Sequence, residues 1–391
     1  MKEYPIIPDA EFVQRWRHVQ QMMRRKSLDI LIAYGDDRAV FGPAHVRWLA
    51  DIPVHFEPLC VLFLPDGDPL LLSGPESDQY AILRGKIKDV RILKEFTHPD
   101  EEYPFSTIQS FQHILSDVGC DPKSIKRVGI GGNSLISAGT NQSFQQSLPD
   151  SQWIDMEADL TALRAIKTPY EIAVIRQAYR IADIGLTAAV EAIRPGVTER
   201  EAAAVAEHAM RKAGAEGFGI DSIVASGPNS RPILGRTTFR AIQNNDHVLL
   251  TFAPRYEGYH GAVGRMVFVG KPTPKIERAY QTAVQAQAAC AARMRAGADG
   301  SRVESAGRAI AAKTGYKKYF LYSGVHSVGV IEFEAPIFGP GTSGRLERNM
   351  VLSVDIPLFN APWGGLRVED GYLVKDSASE KLSQSAYYFY I

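Results

Sequence analysis

The chain has 391 residues, 45% of them hydrophobic, which is enough for two domains of ordinary size that each bury a core. Lysine plus arginine and aspartate plus glutamate both number 44, so the formal charge is zero and no basic surface points to nucleic acid or anionic lipid. A small neutral or zwitterionic substrate suits that balance better.

Residues 10–26 (AEFVQRWRHVQQMMRRK) carry apolar residues at helical spacing, and LDILIAY (28–34) follows as a buried-strand run. Strand-like runs at 59–65, 69–73, 90–96 and 127–131 interleave with helical patterns at 77–86 and 106–118. Alternation of this kind predicts a compact α/β domain over residues 1–160. A capping box opens the second domain, 161–391: Thr168 is the N-cap, Pro169 sits in the first turn and Glu171 reaches back. Ile172, Ile175, Tyr179, Ala182, Leu186 and Ala189 then mark one face of a long helix that stops at PGVT (195–198). Thr198 with Glu201 opens another helix, running to Gly214. Strands are expected at 221–227, 247–253 and 264–270, helices at 275–294 and 302–315, and strand-like segments around His326, Asp355 and Glu369.

Cys60, Cys120 and Cys290 lie far apart without metal-ligand spacing, which predicts buried thiols in a reducing compartment rather than a disulfide framework. The N-terminal stretch MKEYPIIPDAEFVQRW has no apolar signal core, and the runs at 60–65 and 248–254 are only strand-length. Neither a secretion signal nor a membrane span is expected, and the cytoplasm is the expected location.

Six segments in this order, RAIKTPYEI (164–172), SGPN (226–229), GYHGAVGR (258–265), HSVGVIEFEAP (326–336), MVLSVDIP (350–357) and RVED (367–370), resemble the pita-bread superfamily of prolidase, aminopeptidase P, methionine aminopeptidase and creatinase. The resemblance covers essentially the whole chain and implies a pita-bread C-terminal domain, an antiparallel sheet covered by helices, and a homodimer. In the metal-dependent members five side chains, Asp, Asp, His, Glu and Glu, hold two metals; the matching positions here are Thr251, Ala262, His326, Asp355 and Glu369. Thr251 and Ala262 replace two anionic ligands, so the resemblance implies that the dinuclear site is gone. Phe333 and Leu234 stand where the peptidases carry further histidines, which argues against Xaa-Pro peptidase chemistry. The chain is similar to creatinase, which works without metal, in His326, Ser327 and the carboxylate of Asp355, and departs from it at Leu234 and Gly264.

If 258–268 is one strand, His260, Ala262 and Gly264 share a face, and His260 is its one polar newcomer. It either bonds a neighbouring loop or joins His326, Asp355 and Glu369 in a mononuclear metal site. Arg236 and Arg240 lie where the superfamily's substrate loop enters and suit a substrate carboxylate, unless they are solvated loop charges. Arg367, two before Glu369, shares its face and neutralises it or meets substrate. Glu334 matches a superfamily carboxylate, while Phe333, Thr251 and Trp363 are candidate walls of the substrate site. The expected function is a creatinase-like hydrolase or lyase acting on a C–N bond of a small carboxylate-bearing metabolite. It is expected to use no cofactor, with His326 as general acid/base, its pKa raised by Asp355 and Glu369 as catalytic carboxylates. Two alternatives stand beside it: an inactive binding protein, and a peptidase that retains a single divalent metal or residual Xaa-Pro activity.

Overall fold

The computed structural model describes residues 4–38, 42 and 44–391, so the first three residues of the N-terminal stretch lie outside it. Two compact units divide the described residues, one within 8–164 and one of residues 165–391 together with 4–7. The helix Glu157–Ala165 runs across position 160 and ends where the division falls. Among the described residues no helix is long and apolar enough to cross a membrane.

The N-terminal unit is a seven-stranded sheet between helices. Its strands lie in the order Ile108–Gln109, Asp89–Leu93, Leu70–Ser73, Leu59–Phe63, Ile30–Gly35, Arg127–Gly131 and Gln152–Asp155. The central strands read as unbroken apolar runs because both faces are covered. The helix Asp9–Lys26 buries Phe12, Trp16, Val19 and Met23 along one face. Two expectations are corrected here. The run 90–96 is a strand only to Leu93 and then a 3-10 turn, and 106–118 is a short strand followed by the helix Phe111–Asp117, started by Ser110 accepting from the His113 N–H.

The C-terminal unit opens as its capping boxes predict. Thr168 Oγ1 accepts from Glu171 N at 3.3 Å while Glu171 accepts from Thr168 N at 2.8 Å, and Thr198 with Glu201 repeats the arrangement. The helices Pro169–Ala192 and Glu199–Lys212 follow. The main sheet runs in the order Glu334–Phe338, Val325–Ser327, Val351–Ala361, Gly364–Val374, Val263–Phe268, His247–Phe252 and Ile223–Ser226, antiparallel at every step of that path. Alternation along its two longest strands separates core from chemistry. Leu352, Val354, Ile356, Leu366 and Val368 pack with Ile276, Tyr280, Ala283 and Cys290 of the helix Pro274–Ala291. Ser353, Asp355, Arg367 and Glu369 take the other face.

One strand expectation fails. Residues 258–268 form two strands, Tyr259–His260 and Val263–Phe268, and the first belongs to a separate three-stranded sheet with Pro254–Tyr256 and Gly217–Phe218. At Gly261 an added Cβ would lie 2.5 Å from the Tyr179 backbone nitrogen. The helix Pro169–Ala192 therefore crosses at contact distance just where the strand breaks, and face alternation does not carry from His260 to Gly264.

Candidate functional site

Strand pairing assembles the site from residues more than a hundred positions apart. Thr251 pairs with Gly264, Gly264 with Glu369, and Glu369 with Asp355, which lays these four in one row across the sheet. His326 pairs with Ser353, two positions along the same face. Ala262, fully buried, precedes the strand that carries Gly264.

His326 is completely buried. Its Nδ1 lies 3.1 Å from the Ser327 carbonyl, which can only accept, so Nδ1 carries the proton and Nε2 presents a lone pair. That nitrogen has no hydrogen-bond partner and faces Glu369 Oε1 at 4.0 Å. The Phe333 ring lies against the imidazole, centroids 4.1 Å apart, and limits its tilt. Burial, with Arg367 adding to it, pushes the His326 pKa down to about 4, although the Ser327 carbonyl opposes the shift. The expected rise from Asp355 and Glu369 does not occur. Loss of hydration outweighs the carboxyls, and Glu369, buried beside Asp355, is itself held well above the usual carboxylate range.

Glu369 accepts from Ser353 Oγ at 2.9 Å. Glu332, in the turn between His326 and Phe333, enters the same space, its pKa pushed up to about 7 by burial and by Asp355 against the pull of Arg367. One ligand atom from each of His326, Glu332 and Glu369 lies within 4.8 Å of the others. An imidazole nitrogen and two carboxylates are a donor set that suits one divalent ion such as Zn or Mn. The sequence-based set of four did not include Glu332. His260 has its Nδ1 at 3.2 Å from the Gly329 carbonyl and belongs to the turn, and Asp355 faces Arg367. Tyr179 was expected only as a helix-face residue. Its ring lies over Gly371, and burial together with Glu369 and Glu332 holds it a neutral phenol.

Arg367 is the largest departure from expectation. Its stem lies over Gly264, where a Cβ would come within 2.7 Å of Arg367 Cγ and Cδ. Beyond it the guanidinium places Nε 3.2 Å from Asp355 Oδ1, donates from Nη1 to Thr251 Oγ1 at 3.2 Å and from Nη2 to the Tyr322 hydroxyl at 2.8 Å. Tyr322 in turn donates to Asp355 Oδ2. Burial works against the guanidinium charge, but Asp355, Tyr322 and Glu369 hold it protonated. The partner is Asp355 rather than Glu369.

The remaining candidates are spread around this cluster. Glu334 is buried against Lys167 Nζ at 3.3 Å, and that lysine also donates to Ser327 Oγ at 2.8 Å. Arg236 forms an exposed pair with Asp221 at 3.5 Å. Arg240 is engaged by Asp246 and the Ser226 hydroxyl. Trp363 packs on the core edge, edge-on to Tyr319 at 6.1 Å.

A family model described as metallopeptidase family M24 matches residues 173–376, and one described as the creatinase/prolidase N-terminal domain matches residues 15–166. An uncharacterized peptidase of Bacillus subtilis, YqhT, is 31% identical over 284 residues, covering 73% of this chain and 79% of its own. A Xaa-Pro dipeptidase of Pyrococcus furiosus is 28% identical over 320 residues, 82% of this chain and 86% of the relative. The solved prolidase from Pyrococcus horikoshii OT3 superposes with a TM-score of 0.82 over 96% of this chain and 99% of its own, at 23% identity, a likeness of fold. With a family match across the sheet that carries the site, and a relative 31% identical over most of the chain, this protein belongs to metallopeptidase family M24.

Proposed function

We propose that the protein hydrolyses a C–N bond of the amide or peptide type in a small carboxylate-bearing molecule, and that His326, Glu332 and Glu369 hold a single divalent cation for that reaction. The observation that carries this reading is their convergence within 4.8 Å around an unengaged, buried Nε2 lone pair. Relatives named Xaa-Pro dipeptidase support the hydrolase class, and the family's description supports a metal. Thr251 and Ala262 offer no carboxylate, which favours one ion over two.

A divalent ion bound there would supply Lewis acidity, polarising a carbonyl and making water more acidic near neutral pH. The chain's own groups do the rest. Glu332, whose buried carboxyl holds a proton up to about pH 7, would give that proton up on binding the ion. Ser353 orients Glu369, and the Phe333 ring keeps the imidazole plane in place. The metal-free, creatinase-like route, with His326 as both acid and base, has less support. A ring held near pH 4 is neutral at physiological pH and a weak base for the proton that route must take up. A homodimer in the cytoplasm belongs to the same proposal, and the three cysteines, all free thiols, suit a reducing compartment.

The test is amine release from a panel of Xaa-Pro dipeptides, N-acyl amino acids and guanidino acids. Protein stripped with chelator would be compared with protein reloaded with one equivalent of Mn, Co or Zn. Hydrolysis that returns with one equivalent supports the reading. Equal turnover in chelated protein would favour the creatinase-like route, and tight binding without turnover under every condition would make the chain a binding protein.

A further inference from the structure

We propose that the Arg367 guanidinium is a built-in cation of this site, standing in for a second metal ion and limiting the site to one. Four features that look unrelated in the sequence become one device in the fold. Gly264 lacks the side chain that would block the arginine stem, since a Cβ there would lie 2.7 Å from both Cγ and Cδ. Thr251 meets Nη1 with a neutral hydroxyl at 3.2 Å, a geometry that a guanidinium satisfies and a metal site does not require. Tyr322 bridges the other two members, accepting from Nη2 and donating to Asp355. Asp355 faces Nε at 3.2 Å, with both side chains almost wholly buried.

The Asp355 carboxylate is neutralised by Arg367 and is no longer available to a metal, which leaves Glu332 and Glu369 to balance one divalent ion. A second divalent ion would have to sit beside a guanidinium in a dry site, without the carboxylates needed to screen it. Arg367 is thus a positioning residue: it fixes Asp355 and Tyr322 and sets the ion count.

This inference rests on the one-ion reading of His326, Glu332 and Glu369, and the experiment separates the two. Mn and Zn stoichiometry would be measured by equilibrium dialysis with elemental analysis in wild type, in T251D/A262D, and in T251D/A262D/R367M. Wild type binding no ion would sink the one-ion reading and leave the Arg367 comparison standing. If Arg367 excludes the second ion, the aspartate pair alone stays at one equivalent, and adding R367M raises it to two, with the second ion bound at least about tenfold tighter than in the double variant. Two ions in T251D/A262D with Arg367 intact, or one ion in the folded triple variant, would overturn the proposal. Should R367M fail to fold because Asp355 is left charged and buried, R367Q in the same aspartate background removes the cation, keeps a hydrogen-bond donor beside Asp355 and leaves the carboxylate a second ion needs, with the same two outcomes.

Discussion

At His326 the Nδ1 proton is committed to the Ser327 carbonyl, so everything this ring does chemically falls to Nε2. Replacing it with asparagine keeps a polar side chain of similar reach but removes that lone pair. His326→Asn should abolish turnover and the single-ion site while leaving binding of the organic substrate within about tenfold, or ~1.4 kcal/mol. Unchanged kcat in this variant would remove His326 from the reaction. A different residue governs behaviour in acid. Burial raises the Glu157 pKa, but His45 Nε2 at 2.9 Å, the Gly132 N–H at 2.7 Å and the Arg164 charge outweigh it and bring the value down to about 2. A carboxylate depressed in the folded state binds its proton more readily unfolded. Its contribution is therefore present above about pH 4.5 and lost as pH falls towards about 2. The stability difference between wild type and Glu157→Gln, from urea melts, should shrink across that window; a difference independent of pH would refute the assignment.

The helix Pro169–Ala192 is the element that closes the reactive face, and glycines permit its approach. An added Cβ at Gly261 would meet Tyr179 N at 2.5 Å and the Ala178 carbonyl carbon at 2.6 Å, backbone atoms that cannot move without shifting the helix. Gly261→Ala should destabilise the C-terminal unit by ~1–3 kcal/mol, the usual cost of forcing extra volume into a packed interface. It should also disturb metal binding, because the same helix brings Tyr179 over Gly371. Gly139, inside the helix Ala138–Ser147, has open space around it, so Gly139→Ala should stabilise the N-terminal unit by about 1 kcal/mol through helix propensity alone. Equal effects at the two positions, in chemical denaturation, would mean that close packing at Gly261 is not what matters there.

Among the described residues each unit has a hydrophobic cluster of its own, so each is expected to give its own unfolding transition. The proposed single-ion site, His326, Glu332 and Glu369, lies wholly in the C-terminal unit. An ion that binds only the folded form at a hundred times its Kd adds ~2.7 kcal/mol of stability. Calorimetry with Mn or Zn should therefore raise the transition of the C-terminal unit and leave that of the N-terminal unit in place, with chelator reversing the shift. No shift with Mn, Co or Zn would count against the metal reading. A shift confined to the transition of the N-terminal unit would place the ion somewhere other than His326, Glu332 and Glu369.

Much of this architecture was legible in the residues alone, because helices and strands are written in local periodicity and caps. The boxes at Thr168 and Thr198, the strands around Asp355 and Glu369, and the order of six short segments were enough to identify the fold and to bring His326, Asp355 and Glu369 forward as candidates. Thr251 and Ala262, at positions where the resemblance implies aspartates, could be read there too. What only the tertiary structure decided depends on distances between residues far apart in the chain. No spacing rule shows that Arg367 crosses Gly264 to reach Thr251, a residue 116 positions away. Nor does one show that Glu332 turns into the cluster from an irregular turn, or that the strand breaks between His260 and Val263 where a helix crosses it. The protonation of His326 was the hardest to foresee. The sequence identifies the charges that lie near it, but how strongly they act depends on how completely folding removes water from the ring.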